Sequence, residues 1–335
     1  KLTWEKSYKT NIGLEMMLWG KLNLTLDYYW ERRKDILIQR SSLPSMAGFD
    51  ASIYANMGEM DNKGVDANLE YQTRIGNKVG LRLFGNLTYS KNKIVFRDEP
   101  AMQYAYQKSE GTRYGEFYGY IAEGYFQSEE EIKKSPRQMR ELAPGDIKYK
   151  DLNDDGVIDA NDQCYLGKSW FPSWSYGMGF NINYHNFDLA LFFQGVSDVS
   201  IMANGGSIDT GTGDWGASGV GIVPFTGMGL NPSNVITKAL DRWTADNPRA
   251  DAWYPRMTAN ATTNDNNYVN STHWLKDGSY LRLKQASLGY TLENKKLMDK
   301  GIEYLYFYLS GQNLLTFSKF KLWDPELGSN GAKYP

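Results

Sequence analysis

Apolar residues recur at every second position in eight stretches of the chain, with polar residues filling the places between them. In the first hairpin Leu22, Leu24, Leu26, Tyr28 and Trp30 share one side, while Asn23, Thr25, Asp27, Tyr29 and Glu31 take the other. A period of two is that of a β-strand with one apolar face. The pattern returns at Val65, Ala67, Leu69 and Tyr71, and, past a Gly76-Asn77 turn, at Val79, Leu81, Leu83, Leu87 and Tyr89. Tyr176 to Tyr184 and Phe187 to Phe193 make a further pair. Ala286, Leu288, Tyr290 and Leu292 precede a last stretch from Ile302 to Leu314, blurred by Tyr304, Tyr306, Phe307 and Tyr308.

The connectors alternate between short and long. Trp19-Gly20-Lys21, Ile75 to Lys78, His185-Asn186 and Glu293 to Gly301 are short. By contrast 23 residues separate Ile38 from Asn62, 78 separate Phe96 from Ser175, and 83 separate Gly195 from Ser279. A soluble sandwich rarely carries such connectors. An outer-membrane barrel does, because turns on its periplasmic side are tight and loops on its outer side are long. The fold class expected is therefore all-β: a transmembrane antiparallel β-barrel segment with long extracellular loops.

Composition changes this picture little. Mean hydropathy is negative, and no apolar run approaches the roughly 18 residues a membrane helix needs; a barrel escapes that test because half of each strand faces a polar lumen. Aromatic residues make up 14%, with 24 Tyr against 14 Phe, which suits interfacial girdles. A single Cys164 excludes an intrachain disulfide framework. The net charge of −2 argues against a nucleic-acid partner. The chain opens with Lys1-Leu2-Thr3-Trp4 just upstream of a strand and stops at Tyr334-Pro335 after a loop, so we expect residues 1–335 to be part of a longer barrel, without its last strand.

The long connectors carry patterns of their own. Ser128-Glu129-Glu130-Glu131 reads as a capped helix start. A second helix is expected from Ser233 to Asp246, with Val235, Ile236, Leu240 and Trp243 near one face. The glycine-rich run from Asn204 to Gly229 lacks the lysine of a phosphate cradle and reads as an external loop. Asp151-Leu152-Asn153-Asp154-Asp155-Gly156-Val157-Ile158-Asp159-Ala160-Asn161-Asp162 follows the spacing of a calcium loop. Asp151, Asn153, Asp155, Asp159 and Asp162 supply side-chain oxygens, Val157 its carbonyl, and Gly156 the sharp turn. Asp162 stands where a longer Glu is usual, so affinity as weak as roughly 10⁻⁴ to 10⁻³ M is expected. An Asx-rich turn that holds no metal is the plainer alternative. No organic cofactor is expected. The only histidines, His185 and His273, belong to no zinc or catalytic motif, so no enzyme is expected. Tyr176, Trp170 and Trp174 suit stacking on sugar rings, and suit anchoring at a membrane interface better.

Pro144-Gly145-Asp146-Ile147-Lys148-Tyr149-Lys150-Asp151 leads into the acidic loop, and Ser175-Tyr176-Gly177-Met178-Gly179-Phe180 follows it. With Asp241-Arg242-Trp243, Trp274-Leu275-Lys276-Asp277-Gly278-Ser279-Tyr280-Leu281-Arg282-Leu283-Lys284, Ser310-Gly311-Gln312-Asn313-Leu314 and Asp324-Pro325-Glu326, the chain resembles the C-terminal barrel of SusC/RagA-like TonB-dependent transporters. The resemblance implies a barrel of about 22 strands closed by a plug. It also implies energising by TonB through an N-terminal region not in this chain, and a SusD-like surface lipoprotein that captures an oligosaccharide or peptide. Outer-membrane lipid would surround it, and no nucleic acid is implied. The competing reading is a secreted, calcium-stabilised carbohydrate-binding or scaffold module.

Overall fold

The structure, a computed structural model, describes residues 2–42, 53–76, 78–204, 237–257 and 265–328. Four long strands open the chain: β1 (Lys6–Leu18), β2 (Leu22–Gln39), β3 (Tyr54–Ile75) and β4 (Val79–Phe96). A long excursion carries β5 (Glu116–Gly119), β6 (Ala122–Tyr125), helix α1 (Glu129–Lys134), β7 (Ile147–Tyr149) and β8 (Cys164–Ser169). The chain returns as β9 (Trp174–Tyr184) and β10 (Phe187–Ser197), and leaves again through β11 (Ser200–Met202) and β12 (Leu275–Asp277). It then closes with β13 (Tyr280–Leu292), the short helix α2 (Lys295–Met298) and β14 (Leu305–Ser318).

The eight long strands form one antiparallel sheet in the order β1-β2-β3-β4-β9-β10-β13-β14. Each strand pairs with the next along the chain, which is a meander. β1 and β14 are its edges, so the barrel is not closed within these residues.

Register aligns the alternation of every strand. One row across the sheet reads Leu14, Leu26, Ala67, Leu87, Tyr176, Gly195, Leu281, Phe317. The neighbouring row on the other face reads Glu15, Thr25, Asn68, Asn86, Gly177, Gln194, Arg282, Thr316. Two aromatic rows bound the apolar face. Tyr184, Phe187, Tyr290 and Phe307 lie level beside the tight turns, and Tyr28, Tyr89 and Trp174 mark the level near the long connectors. No charged residue holds a registered position on this face between them. From Val79 to Tyr89 the strand climbs about 34 Å along its axis, or about 26 Å along the normal at a tilt near 40°, the height of a lipid-facing band. Leu14, Leu26, Leu69, Leu83, Leu87, Met178 and Leu288 on this face are exposed. An exposed apolar surface of this extent fits lipid, and disfavours the secreted scaffold reading.

The strands outrun their expected limits in one place and fall short in another. β3 begins at Tyr54, not near Asn62, because Tyr54, Ala55 and Asn56 ladder onto Gln39, Ile38 and Leu37 beyond two register shifts. A left-handed Asp35 (φ 55°) lies at those shifts. β14 begins at Leu305, not Ile302, because the Ile302 amide closes helix α2 by donating to the Leu297 carbonyl at 2.9 Å. Helix α1 forms as expected, with the Ser128 hydroxyl accepting from the Glu131 amide. The second expected helix does not. Its start, 233–236, lies outside the described residues, as does the glycine-rich run from 205 to 229. The remainder is a single 3-10 turn, Thr237–Leu240, after which Arg242 bridges Tyr254: the Trp243 amide donates to the Tyr254 carbonyl at 2.9 Å and the Tyr254 amide to the Asp241 carbonyl at 3.0 Å. Trp243 is buried while Leu240 is 76% exposed, so the two never share a helix face.

Candidate functional site: the cap built from two long connectors

Residues 97–173, 198–204, 237–257 and 265–279 fold together at the end of the sheet opposite the tight turns. Three short strand pairs, β5-β8, β6-β7 and β11-β12, give the cap its ladders. The two connectors are joined where Tyr120 donates its amide to the Asn270 carbonyl at 2.9 Å and accepts from the Thr272 amide at 3.0 Å. Their shared core holds Phe117, Met202, Tyr254, Tyr268 and Trp274, and beside it Ile147, Tyr149, Ile158 and Trp243.

A polar network runs through this apolar core. The Asn267 amide group donates to Asp146 at 2.8 Å, its oxygen accepts from the Ile147 amide at 2.8 Å, and its carbonyl accepts from the Trp274 indole at 2.7 Å. Asn266 accepts from Gln138 at 2.9 Å and, through its carbonyl, from the Tyr149 hydroxyl at 2.6 Å. Arg256 grips Asp146 with two bonds of 3.0 and 2.8 Å. Buried polar groups that are fully paired specify one arrangement; left unpaired they are costly. In the sequence Asn266, Asn267 and Asn270 look like a solvated loop. Only the order of fold places them inside.

The shared motifs now have physical roles. Gly145 has φ +93° and its α-carbon faces the Trp243 ring, into which any Cβ would run. Asp146 receives Arg256, and Ile147 and Tyr149 are fully buried. Tyr176 and Trp174 belong to the outward face, where Trp174 meets Tyr89 at 4.5 Å, and not to the polar face. Trp170 packs edge-on to Phe171 beside a cleft of 600 Å³ at the cap end of the polar face, whose lining includes Glu31, Arg33, Asn62, Arg113 and Tyr114. His185 sits in a tight turn. His273 is packed in the cap against Trp274, and burial together with the Lys276 charge pushes its pKa down to about 3.

The acidic loop wraps around its first residue. Asp151 accepts from the Asp154 amide at 2.7 Å and the Gly156 amide at 2.8 Å, Asn153 from Asp155 at 3.1 Å, and Asp155 from Val157 at 2.8 Å. Asp159 accepts from Asn161 at 2.7 Å. Asp162 is fully buried and accepts from Leu152 at 2.8 Å and Asp159 at 2.9 Å. Burial is the largest influence on its carboxyl group and raises the pKa. These are Asx-turn bonds, and among the described residues no three carboxylate, histidine or cysteine groups gather as a metal cage.

The family model described as TonB dependent receptor-like, beta-barrel matches residues 1–314. The chain belongs to the TonB-dependent receptor β-barrel family. TonB-dependent receptor P3 of Formosa agariphila is 29% identical over 340 residues, covering 97% of this chain and 31% of that receptor. TonB-dependent receptor SusC of Bacteroides thetaiotaomicron is 23% identical over 348 residues, covering 100% and 31%. A structure of the RagAB peptide transporter superposes with a TM-score of 0.70 at 24% identity, covering 98% of this chain and 33% of that one. This TonB-dependent receptor segment thus spans about a third of the length of those relatives. The SusC/RagA-like resemblance and the all-β outer-membrane sheet both stand on these matches.

Proposed function

We propose that the chain is the C-terminal portion of the barrel of an outer-membrane importer, driven by TonB, that takes up an oligosaccharide or peptide delivered by a SusD-like surface lipoprotein. The observation that carries this reading is the sheet itself: an uncharged outward band between two aromatic rows backs a polar inward face. The relatives supply the rest by analogy, since one is named SusC and another a peptide transporter. In this reading the cap faces outward, and the tight turns face the periplasm. The paired buried network of the cap would present one defined surface to the lipoprotein, and the 600 Å³ cleft beside it, on the polar face, would open on the lumen. The work is binding and gating, and no covalent step is involved.

Deleting the gene for the adjacent lipoprotein, then measuring growth on a panel of glycans and peptides, tests the reading. Loss of growth on one class is expected. Unchanged growth on every member would count against a paired importer.

Calcium at Asp151, Asn153, Asp155, Val157, Asp159 and Asp162 belongs to the same proposal. Supporting it are the spacing and the turn at Gly156, φ +83°. Binding would require the loop's carboxylates to gather on one ion in place of the backbone amides they now accept from. Calorimetry with calcium on the folded protein should show weak binding, about 10⁻⁴ to 10⁻³ M; no heat at millimolar calcium would remove the metal.

A further inference from the structure

Between the Thr237–Leu240 turn, β12 and the chain leaving β14 lies a cavity of 640 Å³. Its lining is unusual in charge: Lys238, Lys276, Lys319 and Lys321 all border it, with Trp253 as its aromatic wall. Two carboxylates also line it, and both are engaged. Asp241 takes Lys238 at 2.7 Å on one oxygen and Arg249 at 3.0 Å on the other. Asp277 is exposed and accepts from the Ser279 amide at 3.0 Å.

Lys276 is the half-buried member of the group. Its ammonium lies 5.1 Å from the centre of the Trp253 ring, a favourable cation–π contact, and has no ion pair among the described residues. Lys319 and Lys321, both exposed, make no ion pair within 4 Å among the described residues, although the charge of Lys319 acts on Asp277. Burial is the main cause that brings the pKa of Lys276 down to about 8, and the charge of Lys238 lowers it further. Lys276 in turn depresses His273. The charges of Lys238 and Lys276 repel each other across this partly open space, a cost that an anion between them would offset.

We propose that this cavity is a binding site for an oxyanion group, a carboxylate or a sulfate ester, carried by the substrate of the importer, with Lys276 as its central ligand and Lys319 and Lys321 at its mouth. The proposal names the substrate class of the import reading and rests on it. A concave pocket with Trp253 as one wall, rather than a flat row of lysines, favours a small anionic group over a lipid headgroup.

The test is isothermal titration of the complete transporter in detergent at pH 8 with sodium sulfate and, separately, sodium glucuronate. It is run in Tris and again in triethanolamine, cationic buffers that do not compete for the site and differ in heat of ionisation. Because burial and the charge of Lys238 bring the pKa of Lys276 down toward that pH, binding of an anion should draw protons from the buffer. Lys276→Gln should weaken binding at least about tenfold, the effect of one charge-assisted hydrogen bond, and abolish the proton uptake. The exposed double variant Lys319→Gln/Lys321→Gln is safe for folding, and should weaken binding while keeping the uptake. Response to sulfate alone assigns the ester class, and response to glucuronate alone the carboxylate class. Equal affinity in Lys276→Gln and wild type, no binding of either probe at tens of millimolar, or binding only to vesicles of phosphorylated lipid overturns the proposal. Lipoprotein-dependent growth without anion binding overturns the site and leaves the import reading intact; anion binding without that dependence does the reverse.

Discussion

His273 shows how a single side chain in the cap couples packing to pH. It sits edge-on to Trp274 at 4.8 Å and beside the Tyr125 hydroxyl, and is held neutral chiefly by burial. In the unfolded chain it titrates near its ordinary 6.5, and in the fold near about 3. The unfolded state therefore binds more protons throughout that window, so the stability of the cap is complete above pH 6.5 and falls as the pH drops toward 3. Amide hydrogen exchange in the cap, followed against pH, should show protection declining across this range. His273→Leu should flatten the decline. Asn267 is a second residue on which the cap turns, since it bonds Asp146 and Ile147 of one connector and Trp274 of its own. Asn267→Ala should cost the cap about 2–4 kcal/mol, because it strands the buried Ile147 amide and part of Asp146. Exchange protection should then fall in both connectors together; a fall in one alone would mean that they are not held through this side chain.

At the scale of elements, the two faces of a strand should respond oppositely to the same charge. Leu83 faces outward near the middle of the band, and Asn86 faces inward three positions further along β4. Leu83→Arg is expected to destabilise the full-length receptor folded in lipid vesicles by about 2–4 kcal/mol, and Asn86→Arg by no more than about 1 kcal/mol. Denaturant unfolding followed by tryptophan fluorescence measures both; equal costs would show that Leu83 does not meet lipid. The strands were legible in the sequence because period-two alternation depends on local geometry alone. Their ends were less so: Tyr54 joins β3 only because a left-handed Asp35 lets β2 keep a partner beyond its bulge. Helix α1 was legible through its cap at Ser128, whereas the helix expected over Leu240 and Trp243 gives way to a bridge with Tyr254, a partner that a window of sequence does not contain.

Across the whole molecule, the sheet and the cap have different reasons to be stable. The sheet is held by a ladder of neighbours in sequence, and its outward face is apolar without being buried by protein. The cap instead gathers Phe117 with Tyr254 and Trp274 in one cluster, and Tyr149 with Val269 in another, each across more than a hundred residues of sequence. The family motifs at Gly145-Asp146-Ile147 and Asp241-Arg242-Trp243 were visible as strings, and their purpose was not. Gly145 must be glycine because Trp243 packs on it, a contact between two different motifs. The acidic loop was legible as a spacing, while the pairing of its carboxylates with backbone amides is a matter of local folding. The Lys276 cavity was not legible at all. Its four lysines come from positions 238, 276, 319 and 321, and nothing in their neighbours along the chain marks them as a group.

The sequence by itself determined the antiparallel meander, its two chemically distinct faces and the end at which the long connectors gather. Alternation and turn length act over a few residues, so they survive in one dimension. Only the tertiary structure decided that polar Asn266 and Asn267 lie in a core, that two aromatic rows come level across the sheet, and that lysines far apart enclose one cavity. Each of these depends on register and on contacts between distant segments, which hydrophobic burial and paired buried hydrogen bonds select only once the chain has folded.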